Sequence, residues 1–269
     1  MTAVEGTGSA WLGLERVAED EWLLPVTDGV RSGASALFGG CATAAAAVIA
    51  QSLASQPVVF AASHFGALAR LGATVTVRSR VIAAGRTVTH IEVEGSVDGQ
   101  QSFLTRVTAG ERTPDPVTEG QWVAPPSVTS PEDSAPFEHP VHENTWAGRF
   151  EWRLAIGSDR TPPMSTWWVR PSSGVPLEPL VAATVLVDYV TYGVGRALDV
   201  AIGGLSIDNV VRMHGVADAG WYLLQVMPEA IANGLGFGTA RLFAADELVA
   251  TGTQSIVVLP WDWRLPSER

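Results

Sequence analysis

The order of apolar and polar positions divides the chain into two segments of helix length and two groups of shorter, alternating segments. The first helix-length segment, residues 37–54, is rich in alanine and has Gly39 and Gly40 near its start. The second, residues 175–194, is apolar on nearly every side and opens with Pro176, a residue that favours the first turn of a helix. Apolar residues all round predict helices that other elements cover on most sides.

Each helical segment is followed by four segments with the alternation and turn signals of antiparallel strands. They are residues 58–71, 73–85, 86–99 and 100–110 in the first half, and 204–214, 220–228, 236–246 and 248–259 in the second. Shorter strand-like segments, residues 11–26 and 149–170, precede the two helices. The pattern predicts an α+β fold of two similar units, each with a long helix wrapped by an antiparallel sheet.

A polar stretch with seven prolines, residues 111–140, separates the two halves. Such a composition is typical of a linker. We therefore predict an N-terminal unit over residues 1–112, a linker over 113–140 and a C-terminal unit over 141–269.

The amino-acid composition of the chain limits the classes of function that it can have. The chain is 46% hydrophobic and 17% charged, as expected of a folded globular protein, and its net charge of −11 with no lysine argues against nucleic acid or an anionic membrane surface as partner. One cysteine excludes an intramolecular disulfide, and neither a signal peptide nor a membrane-spanning segment is apparent, so we expect a cytoplasmic protein. We find no GxSxG, HExxH or Walker motif and expect neither a metal nor a cofactor.

Asp188 is the only charge in the second helical segment after Glu178. A single helix through residues 175–194 would place it on an apolar stripe with Leu180, Thr184 and Tyr192. A carboxylate there costs several kcal/mol unless it is paired or hydrogen-bonded. Asp188 is therefore either an acid satisfied by neighbouring tyrosines or backbone donors, or a residue that carries out chemistry.

Two polar residues of the predicted strands are candidate partners. Strict alternation places Ser206 on the same face as Asp208 and Val210, where a solvent-exposed serine is the alternative. Gln254 shares its face with small and apolar residues such as Gly252, which leaves space for a ligand or water. A buried amide needs several hydrogen bonds, so Gln254 is either bonded to the backbone or part of a site.

Four segments carry a resemblance to a known family. Residues 37–40 (LFGG), 204–209 (GLSIDN), 213–214 (MH) and 249–254 (VATGTQ) resemble the double-hotdog acyl-CoA thioesterase II family. The resemblance covers residues 37–110 and 165–259. It implies a double hotdog fold, hydrolysis of acyl-CoA thioesters, a role in lipid metabolism and, since hotdog units associate through their sheets, a homo-oligomer.

The resemblance also implies a set of site residues. Asp188, Ser206 and Gln254 match the acid, the hydroxyl residue and the amide that bind and activate the hydrolytic water in that family. Helix N-termini carry unpaired N–H groups suited to an oxyanion. Gly39 and Gly40 at the first helix and Gly174 and Val175 at the second are alternative sources of these donors, and His64 is expected at the edge of the substrate pocket.

The first half lacks matching groups, because residues 102–109 of its last strand contain Arg106 and no glutamine. We therefore expect one active site per chain. Two other functions stay open: a hotdog enoyl-CoA hydratase or dehydratase, which pairs an aspartate with a histidine, and an acyl- or acyl-CoA-binding protein without catalysis. Trp167 and Trp168 either line the acyl pocket or pack in the core.

Overall fold

The computed structural model describes residues 9–111, 120–138, 144–155, 165–172, 174, 176–198, 202–215 and 219–260. The first half contains β1 (Glu15–Arg16), β2 (Glu21–Pro25), α1 (Gly39–Ala54), β3 (Val58–Phe65), β4 (Thr74–Ala84), β5 (Val88–Val97) and β6 (Gln100–Gly110). The second half contains β7 (Phe150–Leu154), β8 (Ser165–Pro171), α2 (Pro179–Leu186), α3 (Val190–Leu198), β9 (Ile202–Met213), β10 (Tyr222–Ala232), β11 (Leu235–Ala244) and β12 (Glu247–Pro260). The predicted order of a helix followed by four strands is thus confirmed in both halves.

All twelve strands form one antiparallel sheet in the order β1-β2-β4-β5-β6-β3-β9-β12-β11-β10-β8-β7. The two halves join in the middle, where β3 pairs with β9. Each half wraps its sheet around its own helical segment, which confirms the α+β double hotdog fold. No helix among the described residues is long and apolar enough to cross a lipid bilayer.

The first helix is buried because small side chains let it pack closely against its surroundings. Residues 40–47 of α1 are all buried, and most of them are alanine. At Gly40 an added Cβ would lie 3.0 Å from the Val185 carbonyl oxygen and 3.0 Å from Asp188 Cβ. The start of α1 therefore packs directly against the end of α2, and Gly40 permits this approach.

The second helical segment differs from the prediction of one continuous helix. It is divided into α2 and α3, and Val187, Asp188 and Tyr189 lie in the break between them. Asp188 consequently does not share a helical stripe with Thr184 and Tyr192. It leaves the helix axis at the point where the chain passes over β12.

Within the stretch predicted as a linker, residues 120–138 lie against the second half. Gln121 accepts a hydrogen bond from the Leu248 N–H at 2.7 Å, and Trp168 donates its indole N–H to the Thr129 carbonyl at 2.8 Å. Pro136 forms a β-bridge with Arg153. The unit boundaries at residues 112 and 140 stay a prediction.

Candidate active site

Gln254 holds the broken helix to the sheet. Its Nε2 donates to Asp188 Oδ1 and, at 2.8 Å, to Ser206 Oγ, while its Oε1 accepts the Val190 N–H at 3.1 Å. The Val190 N–H is the first of α3 and has no acceptor within that helix. One amide therefore bonds the acid in the break, caps the helix that follows and contacts the hydroxyl on the neighbouring strand.

Gly252 explains how the break approaches the sheet so closely. A Cβ at this position would lie 2.9 Å from both the Cβ and the carbonyl oxygen of Val187. We expected the space beside Gln254 to admit a ligand or water, but the backbone of the break occupies the part above Gly252. The lack of a side chain at Gly252 therefore allows the break to pack closely against β12.

A β-bulge places Ser206 on the side of the sheet that faces the helices. In the pairing of β9 with β12, Ser206 is opposite Ile256 and Asp208 is opposite Ser255, so the register shifts at Ile207. Cross-strand partners share a face. Ser206 therefore faces inward with Ile256 and Gln254, whereas Asp208 faces outward and accepts from the Ser255 N–H and hydroxyl. The prediction that Ser206 and Asp208 share a face is wrong, because strict alternation ignores the bulge.

Asp188 is 1% exposed, as its apolar context predicts. Burial raises the pKa of its carboxyl well above the ordinary value, the nearby Gly40 N–H opposes this effect, and the Asp208 carboxylate adds to it. Oδ1 accepts from Gln254, but Oδ2 forms no hydrogen bond of ordinary geometry with any described residue. The free oxygen is directed toward Gly39, where an added Cβ would lie 2.8 Å from it.

The N-terminus of α1 is the helix start that lies at this acid. It begins at Gly39 with no side-chain cap, so the first N–H groups of the helix lack internal acceptors. Gly174, the alternative, is exposed with no described atom within 4 Å of a Cβ built there, and Val175 lies outside the described residues. The structure therefore brings Gly39 and Gly40 to Asp188, and does not bring Gly174 there.

His64 does not join the group. It is exposed and pairs across strands with Asp208, on the opposite face of β3 from buried Ser63. His90 and His214, the other histidines among the described residues, are also exposed. The described part of the chain thus places no histidine beside Asp188, which counts against the aspartate–histidine pair of a hotdog hydratase or dehydratase.

Aromatic rings surround the residue that follows the acid. Tyr189 is stacked on Tyr192 at 5.2 Å and contacts Trp152 at 5.1 Å, Trp167 at 5.3 Å and Trp146 at 5.9 Å between ring centroids. Each such pair adds about 0.5–1.5 kcal/mol beyond the burial of its area. Trp167 is fully buried and packs in this cluster beside the break between α2 and α3.

Comparison with known proteins identifies a family model that matches part of the chain. Residues 124–258, half of the chain, match the family model "Acyl-CoA thioesterase C-terminal domain". A search of curated proteins gave no match.

Solved structures resemble the chain over nearly its whole length. A protein of Novosphingobium aromaticivorans that carries a thioesterase assignment is 27% identical, with a TM-score of 0.84 over 92% of this chain and 99% of its own. A tesB protein of Mycobacterium avium subs paratuberculosis is 21% identical, with a TM-score of 0.76 over 93% and 98%. Acyl-CoA thioesterase II TesB2 of Mycobacterium marinum is 16% identical, with a TM-score of 0.73 over 96% and 98%.

The last two similarities are evidence for the fold alone. The family match spans α2, the break, α3 and the strands that carry Ser206 and Gln254. The chain belongs to the acyl-CoA thioesterase family.

Proposed function

We propose that this thioesterase hydrolyses acyl-CoA with Asp188 as the general base and Ser206 and Gln254 as the residues that orient the acid and its water. The observation that carries the proposal is the double contact of Gln254 Nε2 with Asp188 and Ser206 in a buried site. Hydrolysis of a thioester needs a base, an oriented water and donors for the developing oxyanion. All three requirements can be assigned to residues within this group.

The reaction follows from these positions. Asp188 Oδ2 accepts a proton as a water oxygen attacks the thioester carbonyl carbon, and the carbonyl oxygen gains the negative charge. The N–H group of Gly39, with the positive end of the α1 dipole, stabilises that charge, while the neighbouring Gly40 N–H is directed to Asp188. When the carbon–sulfur bond breaks, the CoA sulfur leaves as a thiolate and takes the proton from Asp188.

The hydrogen bonds assign different tasks to Ser206 and Gln254. Both Nε2 protons of Gln254 are committed, to Asp188 and to Ser206, and its Oε1 accepts the Val190 N–H. Gln254 therefore positions the acid, with no donor left for a water. The Ser206 hydroxyl accepts from Gln254 and keeps its own proton available for the water.

The burial of Asp188 suits the task of a base. A carboxylate with a raised pKa accepts a proton more readily than an ordinary aspartate, and general-base assistance contributes about 10²–10⁴-fold in rate. Hydrogen bonds to the carboxylate from Gln254 and the Gly40 N–H favour its ionised form and so oppose this rise in pKa.

The test is thiol release from a series of short- to long-chain acyl-CoAs, measured for the wild type, Asp188→Asn and Asp208→Asn. Asp188→Asn keeps an oxygen for Gln254 but lacks the base, so we expect kcat to fall about 10²–10⁴-fold. Asp208→Asn is the control for a change of charge near the site: it removes an outward-facing carboxylate that adds to the pKa of Asp188 but leaves the base in place, so kcat should fall far less than in Asp188→Asn.

Two results oppose the proposal. Hydrolysis by Asp188→Asn at the wild-type rate removes Asp188 from the mechanism. Binding of acyl-CoA without hydrolysis by the wild type favours the acyl-binding alternative. A homo-oligomer, a cytoplasmic location and a role in lipid metabolism stay predictions.

A further inference from the structure

A single row of polar side chains crosses the apolar inner face of the sheet. Thr105, Ser63, Asn209 and Gln254 are register partners on the adjacent strands β6, β3, β9 and β12. Each is at most 1% exposed. The row therefore runs from the first half to the second beneath the start of α1.

On one side of the row, the next positions on the same face are apolar. Two residues along each strand lie Val107, Ala61, Val211 and Gly252, and all four are buried. Burying polar groups costs about 1–3 kcal/mol each unless they are hydrogen-bonded. Every polar member of the row therefore needs a partner.

The first-half members of the row satisfy one another. Thr43 Oγ1 donates to the Gly39 carbonyl at 3.1 Å and lies 2.8 Å from Ser63 Oγ, which lies 2.8 Å from Thr105 Oγ1. Because Thr43 gives its proton to Gly39, Ser63 donates to Thr43 and Thr105 donates to Ser63. All three hydroxyl protons are used within the chain, so none is available to Asn209.

Asn209 is the exception in the row. It is 0% exposed, and neither its Oδ1 nor its Nδ2 has a hydrogen-bond partner among the described residues. Both Nε2 protons of its neighbour Gln254 are committed to Asp188 and Ser206, so Gln254 donates no hydrogen bond to Asn209. Among the described residues, Asp188 Oδ2 is another buried oxygen without such a partner, and Gln254 joins the two residues, since it is bonded to Asp188 and paired with Asn209.

We infer that Asn209 is a further residue of the site, whose amide binds a buried water that also donates a hydrogen bond to Asp188 Oδ2. This inference rests on the proposed function. An amide both donates and accepts, and water matches it in both senses. Buried waters make about three hydrogen bonds to polar groups that otherwise lack partners. Asn209 is thus a positioning residue that acts on the base through the water.

The variant that tests this role is Asn209→Leu, which keeps a similar volume and removes both polar atoms. We expect kcat to fall about tenfold or more with KM within about twofold, because a misplaced base costs rate rather than binding. We expect the melting temperature to hold or rise, since an amide without a protein partner is replaced by an apolar group. Asn209→Ser, which retains a hydroxyl and space for water, should regain most of kcat.

Thr105→Val is the matched control because it removes a hydroxyl from the far end of the same row. Its kcat should stay within about twofold of the wild type, while its melting temperature falls with the loss of a buried hydrogen bond. Unchanged kcat in Asn209→Leu overturns the inference. So does a lower melting temperature together with unchanged kcat/KM, which is the result of a purely structural amide.

A high-resolution crystal structure of the wild type decides the matter independently of activity. A water within hydrogen-bonding distance of the Asn209 amide and Asp188 Oδ2 is the expected result. An Asn209 bonded only to protein atoms overturns the inference even where acyl-CoA hydrolysis is found. If the wild type does not hydrolyse acyl-CoA, the proposed function is wrong, and the crystal structure alone then decides whether this water is bound.

Discussion

The buried acid should make the stability of the protein depend on pH in a defined way. Burial raises the pKa of Asp188 in the folded state, whereas an unfolded chain has an aspartate pKa of about 3.9. Between the two values the folded state binds more protons than the unfolded state. The free energy of unfolding therefore falls as pH rises through this window, by at most about 1.4 kcal/mol per pH unit.

Asp188→Asn removes this titration while it keeps the shape of the side chain and an acceptor for Gln254. The difference in free energy of unfolding, variant minus wild type, should be smallest near pH 4. It should increase with pH by up to about 1.4 kcal/mol per unit and become constant above the folded-state pKa. The variant therefore gains stability relative to the wild type as pH rises.

Urea denaturation at a series of pH values from about 4 to 9 measures this difference. Asp246→Asn, which changes an exposed carboxylate in the turn between β11 and β12, corrects for the change in net charge. A difference that stays flat across the series refutes the reasoning, since it means that burial does not disfavour the charged form of Asp188. The pH at which the curve levels off gives the pKa of Asp188 in the folded state.

Two further predictions test the packing around the break and the core of the first half. Gly252→Ala should destabilise the protein by about 1–3 kcal/mol in urea denaturation and lower kcat, because the added Cβ meets Val187. The control is Gly215→Ala, which should match the wild type because no described atom lies within 4 Å of the added Cβ. Cys41 is fully buried and burial raises its pKa, so a thiol reagent should label it only after denaturation; labelling of the folded enzyme at the denatured rate contradicts this.

The fold could be predicted from the sequence because its signals are local. The Ala-rich segment predicted for residues 37–54 became α1, Gly39–Ala54, and alternation with turns such as Asp98-Gly99 located the strands around it. Asp98 and Gly99 both have positive φ, as a tight hairpin turn requires. Periodicity and turn residues determine structure over a few neighbouring positions, so a single sequence is enough to recognise them.

Three features of the site could not be predicted because they depend on distant contacts. The break at Asp188 forms in a segment of good helical pattern and is held by Gln254, 66 residues further along the chain. The inward direction of Ser206 depends on a bulge that only the pairing with β12 reveals. Asn209 carried no local signal, and knowledge of the register with Ser63 and Gln254 would have been needed to find it.

The two halves contribute different parts to one site, and the break in the helix decides which half supplies the acid. At the row positions of the first half, Thr105 and Ser63 satisfy each other and Thr43 under a continuous α1. In the second half α2 ends before Asp188, so the Asp188 carboxylate can accept a hydrogen bond from Gln254 on the sheet. A continuous helix uses its carbonyls and N–H groups internally, except at its ends. In the proposed mechanism, the start of α1 therefore offers its first N–H groups to the reaction, while the break in the second helical segment offers a carboxylate.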